Sequence, residues 1–366
     1  PFSFPDGGAA ARRILGVSKS LLELGCQVQI ASGQESKSHG QSITFEGLEV
    51  FSLGERTAEH LPRHLKHMAY LTMGKKTISW LDSLPTKPYA LILYSGYSPY
   101  LLQLIPWSRR NNVKLIFDAV EWYDPPTPWA WISPYQINIE LAMRNLIPRV
   151  DHVFSISTFL HEHFSAKGCE SLLMPPTLDV QALDTRVDDS KESDYIKLVY
   201  AGSPGKKDLL DRILEAVFRL REAGFSIHLS VAGVSSIQAS TYSSIRGRSC
   251  PDVTAGVTFL GSLSHDESIA LVRQADFSLL LRNNARYAKA GFPTKVVESM
   301  ALGTPVIANL TSDLNQYLTD DETGFICSGA SVEDMQNAIA RALALSGEQH
   351  AHMRRRCRDV ALSAFD

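Results

Sequence analysis

The sequence predicts an α/β protein built from two successive doubly wound domains, each a parallel sheet with helices on both faces. Three observations carry this. Apolar runs of strand length alternate with helix-period segments through the first half. A polar, highly charged stretch at 179–196 (DVQALDTRVDDSKESDYI) then breaks the rhythm. The same alternation restarts at Lys197 and runs to Leu345.

The elements follow in order. Ile14, Leu15, Val17, Leu21 and Leu22 give Ala9–Leu24 a helical apolar face, and Gly25 ends it. Gln27–Ala31, Leu91–Tyr94, Val113–Phe117 and Asp151–Ser155 read as buried parallel strands. Pro99–Asn111 and Ser157–Lys167 supply helices beside them. After the break come strands at Lys197–Ala201, Ser226–Ala232, Val257–Leu260, Phe277–Leu281 and Pro305–Ala308. Helices are expected at Leu209–Ala223, His265–Arg273, Thr294–Leu302 and Glu333–Leu345. The domains are therefore expected at 1–185 and 195–348, with a terminal helix at about 350–366 returning to the first. PFSFPDGG begins without a strand ahead of its helix, so a first strand before Pro1, and further sequence after Asp366, are expected to be missing.

Composition excludes several classes. A net charge of −3 offers no concentrated basic face, so no nucleic-acid partner is expected. Five cysteines, odd in number and without a C-x-x-C pair, argue against a disulfide framework or zinc site and for a reducing compartment. No apolar run approaches the ~18–20 residues of a membrane span. A cytoplasmic location is the expectation, with peripheral contact at the inner face of the membrane as an addition. The basic run His352–Arg358 is either a solvated helix face or a surface for anionic lipid.

Chemistry concentrates in residues 291–309, GFPTKVVESMALGTPVIAN. Pro293 suits the first turn of a helix, Gly303 ends it, and Val297, Met300 and Ala301 share its inner face. The free amides of the first turn, with the helix dipole, suit a diphosphate. Glu298, one turn deeper, is placed to accept two hydrogen bonds from a ribose diol. An ordinary solvent-facing Glu fits the spacing equally.

This stretch resembles the donor-site motif of retaining glycosyltransferases of family 4 (glycosyl transferases group 1), which share the GT-B fold of two Rossmann-like domains facing across a cleft. Glu298, Ala301, Gly303, Pro305, Val306 and Ile307 match the motif. The resemblance implies that Glu298 binds the nucleotide ribose and that Gly291, Phe292, Pro293, Thr294 and Lys295 belong to the donor loop. The family's first Glu, close to the donor sugar, is replaced here by Ala290.

YAGSPGKKDLLD (200–211) resembles the family's glycine turn and its phosphate-pairing lysine. Gly202 and Ser203 belong to that turn, Lys207 is the better candidate for the lysine, and Lys206 stays open. Ser203 stands where many members carry an Arg, so the second cation is sought at Arg282, Arg286 or Lys289. In FLGSLSHDESIALVRQADFSLLL the resemblance implies a main-chain contact from Leu263 to the nucleobase, while His265 is expected to cap or pack against its helix. Gly7 and Gly8 resemble the family's amino-terminal glycine loop.

FDAVEWYDPPTPWAWISPY (117–135) follows a strand and should sit where open sheets bind ligands. Asp118 is the candidate catalytic carboxylate and Glu121 the second; a helix cap or an arginine pair explains either equally. Trp122, Tyr123 and Tyr97 are candidate acceptor contacts, with core packing as the competing reading. His161 and His163 lie two apart on a helix and point to different faces, which is poor metal geometry.

The function expected is metal-independent, retaining transfer of a sugar from a nucleoside-diphosphate sugar, of UDP or GDP type, to a saccharide, lipid-linked or natural-product acceptor. No cofactor is expected, since the nucleotide sugar is a substrate. A nucleotide-sugar epimerase and a catalytically lapsed nucleotide-sugar-binding scaffold are the rivals.

Overall fold

The computed structural model describes residues 2–34, 42–55, 72–95, 98–125, 127–185, 195–205, 207–246 and 256–366. They form two compact units, Pro1–Thr177 and Leu178–Asp366. Lys206 and Tyr97 lie outside the described residues.

In the first unit, the helix Ala9–Glu23 follows Gly8, and strand β1 (Gln29–Ser32) pairs in parallel with β3 (Leu48–Ser52). β2 (Ser42–Phe45) turns back antiparallel on β3. Its connection, Glu46–Gly47, holds both residues at positive φ (48° and 80°), the twist that a two-residue hairpin favours. This hairpin was not expected, because β2 is an edge strand, largely exposed and without a buried alternation. A separate parallel sheet runs β4 (Ala90–Tyr94), β5 (Lys114–Ala119), β6 (His152–Ser155), β7 (Glu170–Leu173). The expected strands fall on β4, β5 and β6; β7 is half-exposed, and its apolar residues, Leu172 and Leu173, make too short a run to reveal it.

A buried carboxylate organises the helix Lys75–Ser83. Its amino end has no side-chain cap of its own, and Gly74 stands there in the left-handed region. Glu55 answers instead, accepting from the Gly74 amide at 3.1 Å and from the Thr77 amide and hydroxyl at 3.0 Å each. The Tyr100 hydroxyl, on the helix Ser98–Asn111, donates to the same carboxylate. One side chain thus satisfies the helix's orphan donors and ties two helices together. Replacing Glu55 by Ala leaves those donors buried, so Glu55→Ala should cost about 2–4 kcal/mol of stability. Urea denaturation of the full chain measures it as a lowered midpoint.

The second unit is one six-stranded parallel sheet in the order β10 (Val257–Gly261), β9 (Ile227–Ala232), β8 (Ile196–Ala201), β11 (Phe277–Leu280), β12 (Val306–Asn309), β13 (Gly324–Cys327). Counted within the unit this is the order 3-2-1-4-5-6 of a Rossmann sheet, whose direction of winding reverses between β8 and β11. Tyr200, Leu214, Phe218, Val231 and Phe277 fill the core on the face covered by the helix Leu210–Glu222. The helix Gly347–Ala364 packs within this unit through Met353, Cys357 and Ala361. The Arg354 guanidinium donates to the carbonyls of Ala275 (2.9 Å) and Arg273 (3.2 Å), and Arg358 donates to Ala301. Those guanidiniums of the basic run are engaged with backbone rather than arrayed as a free cationic face.

Candidate functional site

In an open parallel sheet, ligands bind outside the carboxyl ends of the strands where the winding reverses. Here that point gathers the loop after β8, the end of β11, and the start of the helix Thr294–Ala301. Gly202 opens the first loop at φ 116°; a Cβ there would lie 2.7 Å from Lys295 Cε. A Cβ on Gly233 would lie 2.5 Å from the Gly202 carbonyl carbon, so the two turns pack backbone to backbone. Ser203 is exposed in that loop. Lys207 follows in a turn, its carbonyl accepting from the Tyr287 hydroxyl at 3.1 Å. The helix expected from Leu209 begins at Leu210, because Asp208 and Arg282 form a β-bridge and the Leu209 amide donates to Leu281.

Asp208 is the residue that the sequence reading passed over. Its side chain is buried, and both oxygens are taken: Arg282 Nε donates to Oδ1 at 2.7 Å and Lys295 Nζ to Oδ2 at 2.6 Å. The Tyr200 hydroxyl donates to Oδ2 at 2.6 Å and accepts from Lys295 at 2.7 Å. Lys295 Nζ also lies 4.1 Å from the centre of the Tyr200 ring, within cation–π range. Burial alone would raise the Asp208 carboxyl, but the Lys295 and Arg282 charges and the donated hydrogen bonds hold it below its ordinary value. Two cations on one carboxylate leave the cluster with one net positive charge.

The other donor candidates lie close by in the chain. Pro293 precedes the helix Thr294–Ala301 rather than entering its first turn, and Thr294 begins it. Val297, Met300 and Ala301 are buried against the sheet as expected. Glu298 is half-buried, and its charge acts on Lys295. Gly291 ends the short helix Arg286–Ala290, in which Ala290 is wholly buried, and Phe292 packs edge-on against Tyr317 at 5.7 Å. Arg282 and Asn309 exchange hydrogen bonds, backbone amide to Oδ1 at 2.9 Å and Nδ2 to carbonyl at 2.8 Å. Leu263 lies in the turn beyond β10, beside Ser264, which caps the next helix in a box with Glu267; His265 takes the first helical position.

The first unit places its candidates differently. A Cβ on Gly7 would fall 2.0 Å from the Ser3 carbonyl oxygen, so only glycine fits, and Gly8 holds φ 60° ahead of the helix. Asp118 ends β5 as predicted but does not stand open. Arg13 reaches it from the first helix in a two-point pair, Nε to Oδ2 at 3.1 Å and NH2 to Oδ1 at 3.0 Å, and also donates to the Pro175 carbonyl. The arginine pairing is thus the reading realised for Asp118. Glu121 is half-buried and accepts from the Tyr123 hydroxyl.

Trp122 corrects the acceptor-platform expectation. It is only 3% exposed, packs against Phe159 and His163, and donates to Glu140 at 3.1 Å. Its ring is core, and no ligand face remains. His161 bonds Ser171 at 3.1 Å and His163 approaches the Met143 carbonyl at 3.3 Å, so the two rings serve different neighbours.

Comparison with known proteins agrees with this architecture. The family of glycosyl transferases group 1 matches residues 184–360, nearly the whole second unit. A GDP-mannose-dependent alpha-(1-6)-phosphatidylinositol dimannoside mannosyltransferase of Mycobacterium tuberculosis is 26% identical over 345 residues, covering 87% of this chain and 84% of the relative. The second unit carries a group 1 glycosyltransferase domain. The fold of the chain is GT-B, as in the sucrose-phosphate synthase of Thermosynechococcus elongatus (TM-score 0.75, 16% identity, 97% of this chain and 88% of that one). HepE of Anabaena, solved with UDP, is similar to the glycosyltransferase over its whole length (TM-score 0.69, 14% identity, 94% of that chain).

Removing the carboxylate at Asp208 strands two cations. Asp208→Ala should destabilise the glycosyltransferase by about 3–5 kcal/mol at neutral pH. The folded pKa is depressed, so this stabilisation is fully present above the unfolded value of ~3.9 and disappears as pH falls through the folded one. Urea titrations should therefore give a wild-type advantage that is flat from about pH 5 to 8 and shrinks below about pH 4. A difference growing toward acid would contradict the pairing.

Proposed function

We propose that this glycosyltransferase transfers a sugar from a nucleoside-diphosphate sugar, of UDP or GDP type, with retention at the anomeric carbon and without a metal ion. The observation that carries the reading is the convergence of the Gly202 turn, Arg282 and the start of the Thr294 helix at the reversal point of the sheet. The net positive charge of the Asp208 cluster, Lys207 and the helix amides suit a diphosphate leaving group, whose charge they would stabilise as the glycosidic bond breaks. Glu298, one turn into the same helix, would accept from the ribose hydroxyls. The Mycobacterium relative is named as GDP-mannose-dependent and the Anabaena structure holds UDP, which supports both donor types.

Thermal shift with UDP, GDP, ADP and dTDP tests the donor reading. At least one should raise Tm, and Glu298→Ala should abolish that shift without unfolding the protein. An unchanged shift would remove Glu298 from the site. Binding without transfer to any acceptor would favour the lapsed scaffold over the transferase, and sugar inversion without transfer the epimerase.

The acceptor is proposed to be a saccharide or lipid-linked saccharide, taken up by the first unit. Among the described residues no helix is long and apolar enough to cross a membrane. A peripheral contact is better served by Trp129 (83% exposed), Trp131, Ile132 (73%), Tyr135 and Ile137 than by the engaged arginines of 352–358. Trp129→Ser with Ile132→Ser should reduce co-sedimentation with vesicles containing anionic lipid at least about fivefold, with secondary structure unchanged. Undiminished binding would place the contact elsewhere.

A further inference from the structure

The loop after β12 carries two hydroxyls that the fold leaves without use. Thr311 is 5% exposed, and neither its Oγ1 nor the buried Oγ of Ser312 has a hydrogen-bond partner among the described residues. Buried hydroxyls are almost always paired, because an unpaired one is destabilising. Ser312 is also held at φ 53°, where glycine would be unstrained and serine is not. Two adjacent residues are therefore each kept in a form that lowers the stability of the free protein.

Their position gives the arrangement a purpose. β12 lies beside β11, which lies beside β8, so the loop stands at the carboxyl end of the strand next to Arg282. It is anchored on both sides to donor segments. Asn309, just before it, exchanges two hydrogen bonds with the Arg282 backbone. Tyr317, just after it, packs on Phe292 of the donor loop, and within the turn the Leu314 amide donates to the Thr311 carbonyl.

We propose that Thr311 and Ser312 form a specificity subsite for the hydroxyl groups of the transferred sugar, a proposal that rests on the nucleotide-sugar reading above. The chemistry separates this role from that of the neighbouring cations. A Thr or Ser hydroxyl both donates and accepts, which matches an alcohol, whereas the diphosphate calls for positive charge. The buried methyl of Ala290 offers the sugar no polar contact. Hydroxyls arriving from the β12 loop supply neutral recognition at that end of the site. Sites that leave polar groups unpaired when the matching hydroxyl is absent discriminate strongly between ligands.

The test uses the full chain and two variants, Thr311→Val and Ser312→Gly. Calorimetric titration with UDP, GDP, UDP-glucose and GDP-mannose is combined with Tm measured in the absence of ligand. Wild type should bind a nucleotide sugar more tightly than the matching diphosphate. Each variant should lose about tenfold in affinity for that nucleotide sugar while keeping the diphosphate within about twofold. Neither variant should lower the ligand-free Tm, since each removes an unpaired hydroxyl and Ser312→Gly also relieves the backbone. Equal loss for sugar-bearing and bare nucleotides, unchanged affinity, or a lowered Tm in the free variants would each overturn the subsite. So would a wild type that gains nothing from an attached sugar. A wild type that binds no nucleotide at all would instead remove the donor reading on which the subsite rests.

Discussion

Burying a carboxylate costs several kcal/mol unless opposite charge and hydrogen bonds answer it, and at Asp208 the answer comes from three separate parts of the chain. Tyr200 closes a strand, Arg282 closes the neighbouring strand, and Lys295 opens a helix between the motif loop and the next strand. Because all three meet on one buried carboxylate, the three segments are held in mutual register by charge and hydrogen bonds as well as by the sheet. The glycine at 202 is part of the same constraint, since its bare Cα lets the Lys295 stem pass. A donor site needs its backbone amides and cations fixed before the ligand arrives. Here the fixing group is the carboxylate, and the surplus positive charge is what the proposed diphosphate would meet.

The first unit solves a similar problem to a different end. Asp118 also closes a parallel strand, and Arg13 also reaches it from a distant helix. That pairing is one to one, and the arginine spends its third nitrogen on the Pro175 carbonyl. No net charge is left over. Tyr94, paired in register with Asp118 on β4, has its hydroxyl pushed well up by burial and then by the Asp118 and Glu121 charges, so it stays a neutral phenol. The arrangement works as a brace joining helix, strand and the segment before Leu178. Of the two carboxylates nominated for catalysis, Glu121 is half-buried and accepts from the Tyr123 hydroxyl.

The legible parts of the sequence were those where chemistry is local. Apolar runs announced β8, β9, β11 and β12 because buried parallel strands need them on both faces. The 291–309 motif was legible because its helix start, inner face and terminating glycine lie within one turn-by-turn pattern. What escaped depended on distance or on exposure. Asp118 and Arg13 are 105 residues apart, so an arginine pair stood among the alternatives while the sequence had no means to say which arginine supplies it. Asp208, one residue after Lys207, read as an ordinary helix start, although a buried partner for two cations was the role it fills. Trp122 shared a loop with the exposed Trp129 and Trp131, and composition cannot separate a core indole from an outward one. The β2–β3 hairpin lacked an apolar signal, and only its Glu46–Gly47 turn marked it.

The substitution at 290 gains meaning from the same electrostatics. A carboxylate there would stand one residue before Gly291 and would add a buried anion to a segment whose cations, Arg282 and Lys295, already serve Asp208. With alanine in its place, fully buried on a short helix, the segment gains no further buried anion, and Glu298 is the other carboxylate whose charge acts on Lys295. On the proposed donor reading, recognition at the sugar end is then neutral, because a further buried anion would cancel the charge offered to the leaving group. Hydroxyls satisfy that condition, and the cost of keeping them unpaired in the free protein falls on the buried turn after β12. On the proposed donor reading, charge for the phosphates and alcohols for the sugar form a division of labour around the single carboxylate at Asp208.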